Sequence, residues 1–335
     1  MAEGRLIQRG AAGNPLLVAV QATGGTVTDI TQDGKQYRVH TFTSDGTFEV
    51  TNTTSSSGGE VDVLIVAGGG SGAATPGEHK GGGGGAGGLV FIPSKIVDVG
   101  NYAITVGAGG ASVGQTSTFS PTQGNPGQNT TFDNLIALGG GRGGQQANST
   151  GSNDGGSGGG GHYSLSGGAA TQPASPTGGF GSDGGSGGEA HGRGGGGAGT
   201  AGRNSDQGTK DGEIRSGAWS GGEGLSQATI NNTTYNFASM FGTMNGEIVS
   251  GQAWFAGGGG GGENANGSSS YGAGGLGGGG RGAFISSGYV GTSWGIATSA
   301  GESALPNTGG GGGGARQGVS GAGGSGIVIV RYRIG

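Results

Sequence analysis

The side chains that could carry chemistry in this sequence are few and scattered. Its four histidines, His40, His79, His162 and His191, fall in no metal-ligand spacing. Cysteine is absent, which excludes disulfides, thiolate metal sites and a cysteine nucleophile. His40 lies in a run that reads as a strand face, and the other three histidines read as loop residues. Serine is plentiful, but no nucleophile elbow or oxyanion-hole motif accompanies it. Matches to G-x-G-x-x-G carry no information in such a composition. The only Gly-Lys pair, Gly34-Lys35, is followed by Gln36 rather than the Ser or Thr of a phosphate-binding loop. Residues 178–186 superficially fit the calcium-binding nonapeptide, but the unit is not repeated and lacks its large apolar residue, and a β-roll needs tandem copies. The expectation is a non-enzymatic chain with no metal and no cofactor.

The aromatic residues are more suggestive. Tyr163, Trp219, Tyr235, Trp254, Tyr271, Tyr289 and Trp294 all lie in non-glycine connections between glycine tracts. Two readings stand side by side. The rings pack across the ends of a glycine assembly and shield its terminal peptide groups, or they are contact residues for a cell-surface glycan or protein. The second reading rests on the rigid amphipathic area that Tyr and Trp offer at little entropic cost.

Whatever positions these rings is built mostly of glycine, which supplies 96 of the 335 residues against a usual share of about 7%. Runs such as Gly257 to Gly262 break any collagen register. Only 15 bases face 20 acids and no stretch concentrates Lys or Arg, which argues against nucleic acid as a partner. The start of the chain has no basic region leading into an apolar core, and the most apolar run, Val61 to Ala67, contains Asp62, so neither a signal peptide nor membrane insertion is expected.

The glycine runs are bracketed by strand-like segments. Residues 1–36 read as an N-terminal attachment arm. From Tyr37 a period of two sets in: Tyr37 to Thr43, a hairpin turn at Ser44-Asp45-Gly46, then Thr47 to Asn52. Val61 to Ala67, apolar on both faces, is expected to be a central strand covered on each side. Further strands are predicted at residues 88–92, 102–106 and 130–138. The last strand, 327–334, needs an apolar partner layer for Val328, Val330, Tyr332 and Ile334, and only the strands before residue 140 supply one. The predicted fold is therefore all-β: a β-sandwich, jelly-roll-like, over 37–138, completed by 326–335, with 139–325 as an insert.

Neither helix nor sheet explains the glycine tracts, because interior glycine weakens both. A left-handed threefold helix does: it makes no internal hydrogen bonds and points its peptide groups outward on three sides. Ordering one residue costs about 1–2 kcal/mol, whereas one hydrogen bond returns roughly 0.5–1.5 kcal/mol, so a solitary tract stays disordered. The tracts must form a bundle rooted on the sandwich. Pure-glycine tracts belong at its centre, and tracts decorated with Leu276 or Arg193 belong where one side faces solvent or the sandwich. An arm such as residues 274–283 would reach roughly 30 Å.

The ordered series His40–Phe48, Val61–Gly70, Tyr102–Gly110, Ala137–Gly141 and Gly324–Tyr332 resembles the glycine-rich domain of bacteriophage tail-fibre proteins over roughly residues 37–335. Ile7–Ala12 also resembles the start of tail-fibre proteins from marine T-even-like phages. The resemblance implies polyglycine-II helices beside a jelly-roll of tumour-necrosis-factor type, in a virion structural protein commonly involved in host attachment. It implies a homotrimer, located in the virion and made in the host cytoplasm. The N-terminal arm would engage other tail or fibre proteins, and the loops would meet a host surface glycan or outer-membrane protein. A purely architectural subunit that oligomerises through its sandwich is the alternative. The chain departs from the family pattern in two places: residues 224–257, rich in aromatics, are longer than the usual link between tracts, and the N-terminal region has no fibre-shaft repeats.

Overall fold

The computed structural model describes residues 20–53, 58–76, 80–114, 121–145, 153–162, 166–173, 179–186, 191–204, 219–243, 245–262, 272–283, 300–316 and 318–334. Its strands are β1 Val20–Thr23, β2 Thr26–Gln32, β3 Lys35–Phe42, β4 Gly46–Thr53, β5 Gly59–Val66, β6 Ala74–Thr75, β7 Leu89–Val97, β8 Gly100–Thr105, β9 Thr130–Phe132, β10 Leu135–Ala137, β11 Gly179–Phe180, β12 Gln227–Ile230, β13 Thr233–Asn236, β14 Glu247–Val249, β15 Gln252–Trp254, β16 Ala315–Arg316 and β17 Ile327–Arg333. One short helix, α1, spans Phe237–Phe241.

Two sheets form the β-sandwich, in the orders β1-β4-β8-β9-β10 and β11-β7-β5-β17-β3-β2. The last strand lies at the centre of the second sheet, antiparallel to β5 on one side and β3 on the other. Phe42, Val63, Ile65, Val328, Val330 and Tyr332 meet Phe48, Val50, Ile104 and Phe132 of the first sheet between the layers. The other face of the second sheet is buried as well. Val39, Leu64, Val66, Phe91, Ile327 and Ile329 pack against Ile230, Phe237, Met240, Phe241 and Phe255. That double burial is why β5 and β17 are apolar on successive residues.

The covering layer is the long segment 224–257. It folds as two hairpins around a helical turn, β12–β13 and β14–β15 flanking α1. Asn231 and Asn232, both at positive φ, turn the first hairpin, and Ser250 and Gly251 turn the second in the same way. The Asn236 side chain caps α1 by accepting the Ser239 N–H at 2.9 Å.

Three expectations are corrected. Ser44-Asp45-Gly46 is not a hairpin turn, because β3 and β4 lie in different sheets. Both edges of β3 are taken, by β2 and β17, so the chain crosses the sandwich instead. The Asp45 carboxylate fixes the crossing by accepting the Val106 N–H at 2.8 Å. Residues 20–36, assigned to the arm, instead form β1, β2 and the start of β3. The strand expected over 130–138 is a hairpin of β9 and β10 that turns at Asp133, φ 52°.

The glycine tracts stand on the sandwich as columns bonded with a three-residue period. Along one column, Gly81, Gly84 and Gly87 donate their N–H groups to Ala315, Gly312 and Gly309; Gly82, Gly85 and Gly88 donate to Gly144, Gly141 and Leu138; Gly83 and Ala86 donate to Arg193 and Gly196. The carbonyls repeat the pattern towards three further columns. Those of Gly82, Gly85 and Gly88 accept from Ala73, Gly70 and Ala67, those of Gly83 and Ala86 from Gly160 and Ser157, and those of Gly81 and Gly84 from Gly262 and Gly259. A backbone with three residues per turn and no internal bonds is a polyproline-II-type helix, here in polyglycine form. Residues 257–262 and 309–315 each make the same kind of bonds on all sides. The pure-glycine tracts therefore occupy the centre, where a Cβ on Gly84 would overlap the Gly70 carbonyl.

Two details depart from the sequence reading of the tracts. Residues 274–283 are not one arm. Leu276, Gly277 and Gly278 turn the chain back, with φ of 100° and 86° at the two glycines, and Gly282 donates to Gly272 at 2.8 Å. Arg193, expected with one side facing solvent or the sandwich, is instead fully buried among the columns. The glycine opposite gives it room, since a Cβ on Gly185 would lie 3.2 Å from the Arg193 Cβ.

Candidate functional site

The hydrogen-bond register gives the bundle two distinct ends. At the sandwich end Ala67, Gly88, Leu138, Ala256 and Gly309 join the columns to the strands. At the far end Ala74, Gly81, Gly144, Gly161, Gly192, Gly262, Ala283 and Ala315 share a level. The sandwich end leads to a root: Gly59 pairs with Val97 and Arg333 with Tyr37, and a Cβ on Gly59 would press on Val20. The first and last described residues thus lie at the root, opposite the far end.

Trp219 is at the far end. Its carbonyl accepts the Gly261 N–H at 2.9 Å, and the adjacent Gly262 carbonyl accepts from Gly192 at 3.3 Å. These two bonds set Trp219 beside His191, whose ring stacks on the indole with centroids 4.6 Å apart and planes at 30°. Trp219 as a residue is partly exposed, although its indole Nε1 is buried, and it holds a φ of 65°, a left-handed conformation that disfavours a bulky residue. Buried cationic side chains, Lys80 and Arg193, stand at the same level with buried His162, which bridges to Gly192. From sequence His191 reads only as a loop histidine outside any metal-ligand spacing, although His191-Gly192 and Trp219-Ser220-Gly221 both precede their columns directly. His162 and His191, expected in loops, lie outside the named strands and helix, beside the column ends.

The other aromatic candidates are not brought to this place. Tyr235 lies on β13 with its ring 5.2 Å from that of Phe91, against the covered face of the sheet. Trp254 is on β15, opposite Glu247, at the sandwich end. Tyr163, Tyr271, Tyr289 and Trp294 lie outside the described residues, as does His79. The described neighbours His162, Gly272 and Ala283 stand at the far end.

Electrostatics hold the scaffold together. Glu247, buried, accepts the N–H groups of Gly277 and Gly278, both at 2.8 Å, while Glu223 accepts that of Leu276 at 2.6 Å. Glu247 pins the turn at the sandwich end to the hairpin layer, and Glu223 ties it to the column that leads into that layer. Arg38 holds Asp29 in a two-pronged pair at 2.8 Å and keeps that carboxyl below the usual carboxylate range. Among the described residues no group of three or more His, Asp or Glu side chains could hold a metal ion. No described helix is long and apolar enough to cross a membrane.

Residues 43–285 match the family model described as Glycine-rich domain. The chain belongs to that family. No curated protein matches it in sequence. The matched span of this glycine-rich domain protein starts at the crossing at Thr43, and leaves β1, β2, β3, β16 and β17 outside it.

Proposed function

We propose that this glycine-rich domain protein is a virion structural component, a phage tail fibre or fibre tip, which docks at its root and meets the host surface with the far end of its bundle. The observation that carries the reading is the polarity of the fold. Val20 and Arg333 lie at one end, and the Trp219–His191 stack lies at the other, on a platform of cross-bonded columns. A platform bonded on every side holds a contact residue without further ordering on binding, which favours affinity. The stacked indole offers a face to a sugar ring or an apolar protein group. In this reading the chain acts without catalysis, and the segment before Val20 engages other tail or fibre proteins. A homotrimer would assemble through the sandwich, whose five-stranded sheet presents Thr47, Glu49 and Thr51 outward.

The test is retention of the purified protein on bacterial cells of a susceptible strain, with Trp219→Ala beside the parent. Loss of retention with an unchanged melting curve supports attachment. Full retention by the variant removes Trp219 from the proposal, and no retention by the parent removes attachment. The architectural alternative draws support from Tyr235 and Trp254, which sit in the hairpin layer rather than on the far end. It requires open-ended or trimeric assembly in light scattering without cell binding.

A further inference from the structure

Strand β1 breaks its ladder with β4 at a register shift between Gln21 and Ala22. The Ala22 N–H donates instead to the Tyr332 hydroxyl, at 3.3 Å. Two residues on, Gly24 and Gly25, at φ of 106° and 62°, carry the chain across from the first sheet to β2 in the second. The Gly24 carbonyl is held by His40 Nδ1 at 2.7 Å, and His40 Nε2 lies 3.2 Å from the Tyr332 hydroxyl. The imidazole is fully buried, stacked on the Tyr332 ring and edge-on to Phe48.

Both ends of this four-group chain dictate its proton order. A carbonyl can only accept, so His40 Nδ1 carries hydrogen and donates to Gly24. A backbone N–H can only donate, so the Tyr332 oxygen accepts from Ala22, and in a neutral ring whose one hydrogen is on Nδ1 the Nε2 atom can only accept, so the Tyr332 hydrogen goes to it. Nε2 is then bare. A second proton on the ring would set Nε2–H against the Tyr332 O–H and leave one buried hydrogen without an acceptor, a state that costs free energy when water is excluded.

We propose that His40 and Tyr332 form an acid-released latch on β1 and its crossover, closed while the imidazole is neutral and opened by its protonation. The groups around the ring bear on the threshold. Burial holds the His40 ring below the ordinary histidine range against the pull of the Gly24 carbonyl, with Arg38 of its own strand acting in the same sense as burial. Asp29 of β2 acts the other way but is occupied by Arg38. From β17 the ring meets Tyr332, and from β4 it meets neutral Phe48, while Glu49 accepts from Thr23 on the exposed side of that strand.

The experiment follows amide exchange of Ala22 and of Val330, in the central strand β17, by NMR as pH falls from 7.5 to 4.5, with the His40 ring resonances titrated in the same samples. The latch predicts that Ala22 loses about tenfold more protection than Val330 for each pH unit through which the ring protonates. In Tyr332→Phe, Ala22 is already unprotected at pH 7.5 and shows no step. In His40→Gln, which keeps a donor for Gly24 without a titrating ring, Ala22 shows no step either. Equal loss at Ala22 and Val330, an unchanged Ala22 while the ring titrates, or a step that persists in His40→Gln overturns the proposal.

Discussion

Arg331 holds Asp62 through two of its nitrogens, Nε at 3.0 Å and Nη2 at 2.7 Å, both on the carboxylate oxygen Oδ2. The same guanidinium donates to Gln32 on β2 and to the Met240 carbonyl in α1, and lies 4.3 Å over the Tyr37 ring. One nearly buried side chain thus ties the central strand to its neighbour, to the edge strand and to the hairpin layer. Asp62→Ala is expected to cost about 3–5 kcal/mol by stranding the buried cation, read as a lowered denaturant midpoint.

The central columns should tolerate no side chain at positions where a Cβ would meet a neighbouring backbone. Gly84→Ala is expected to cost more than about 4 kcal/mol or to prevent folding, since its Cβ would overlap the Gly70 carbonyl, which a cross-bonded column cannot move. At Gly114, on a column's outer end, the nearest atom to a new Cβ is Val319 Cγ2 at 3.8 Å. Gly114→Ala should stay within about 0.5 kcal/mol of the parent. Thermal melts of both variants decide the point.

Tyr235 should behave as a core residue. Tyr235→Ala is expected to lose about 2–4 kcal/mol from the packing against Phe91, with cell retention falling only as far as the folded fraction falls. A fully stable variant that no longer bound cells would return Tyr235 to the contact surface.

Two titrations work in the same direction on acidification. The folded state disfavours protonated His40, so the unfolded chain takes up that proton first. The resulting stability is complete above the ordinary histidine value of about 6.5 and shrinks as pH falls below it. Asp29, lowered by Arg38, contributes above the ordinary carboxylate value of about 4 and loses that contribution at lower pH. Both members of this pair are well exposed, so its share is under about 1 kcal/mol and weakens in salt. Denaturation midpoints against pH should fall below 6.5 in the parent, and the fall should be shallower in His40→Gln.

What the sequence reveals depends on whether a residue's neighbours in the chain or across the fold decide its state. Val61 to Ala67 and Ile327 to Ile334 read as central strands because burial on both faces leaves an apolar run that nothing else explains. β2 was not legible: Thr26–Gln32 is an exposed edge, and Thr, Asp and Gln there resemble a linker. Ser44-Asp45-Gly46 carries a true turn signal, but whether the flanking strands pair is settled by β2 and β17, which arrive from elsewhere in the chain. Glycine composition placed the pure tracts at the centre. It could not distinguish Gly277-Gly278, which turn, from Gly279-Gly280, which run on, because glycine carries no side chain to mark the difference. Of the aromatic candidates, Trp219 was separable from Tyr235 and Trp254 only once the columns had been put in order.

The threefold bonding of the columns also acts as a reading frame. Losing or gaining one residue within residues 81–88 would turn every later peptide group through a third of a revolution, so that the N–H meant for Gly312 would face the columns of Gly141 or Arg193 instead. A change of three residues would restore each partner and merely lengthen or shorten the pillar by one turn. Columns built this way can vary in height only by triplets, whereas the segments that join them are under no such rule.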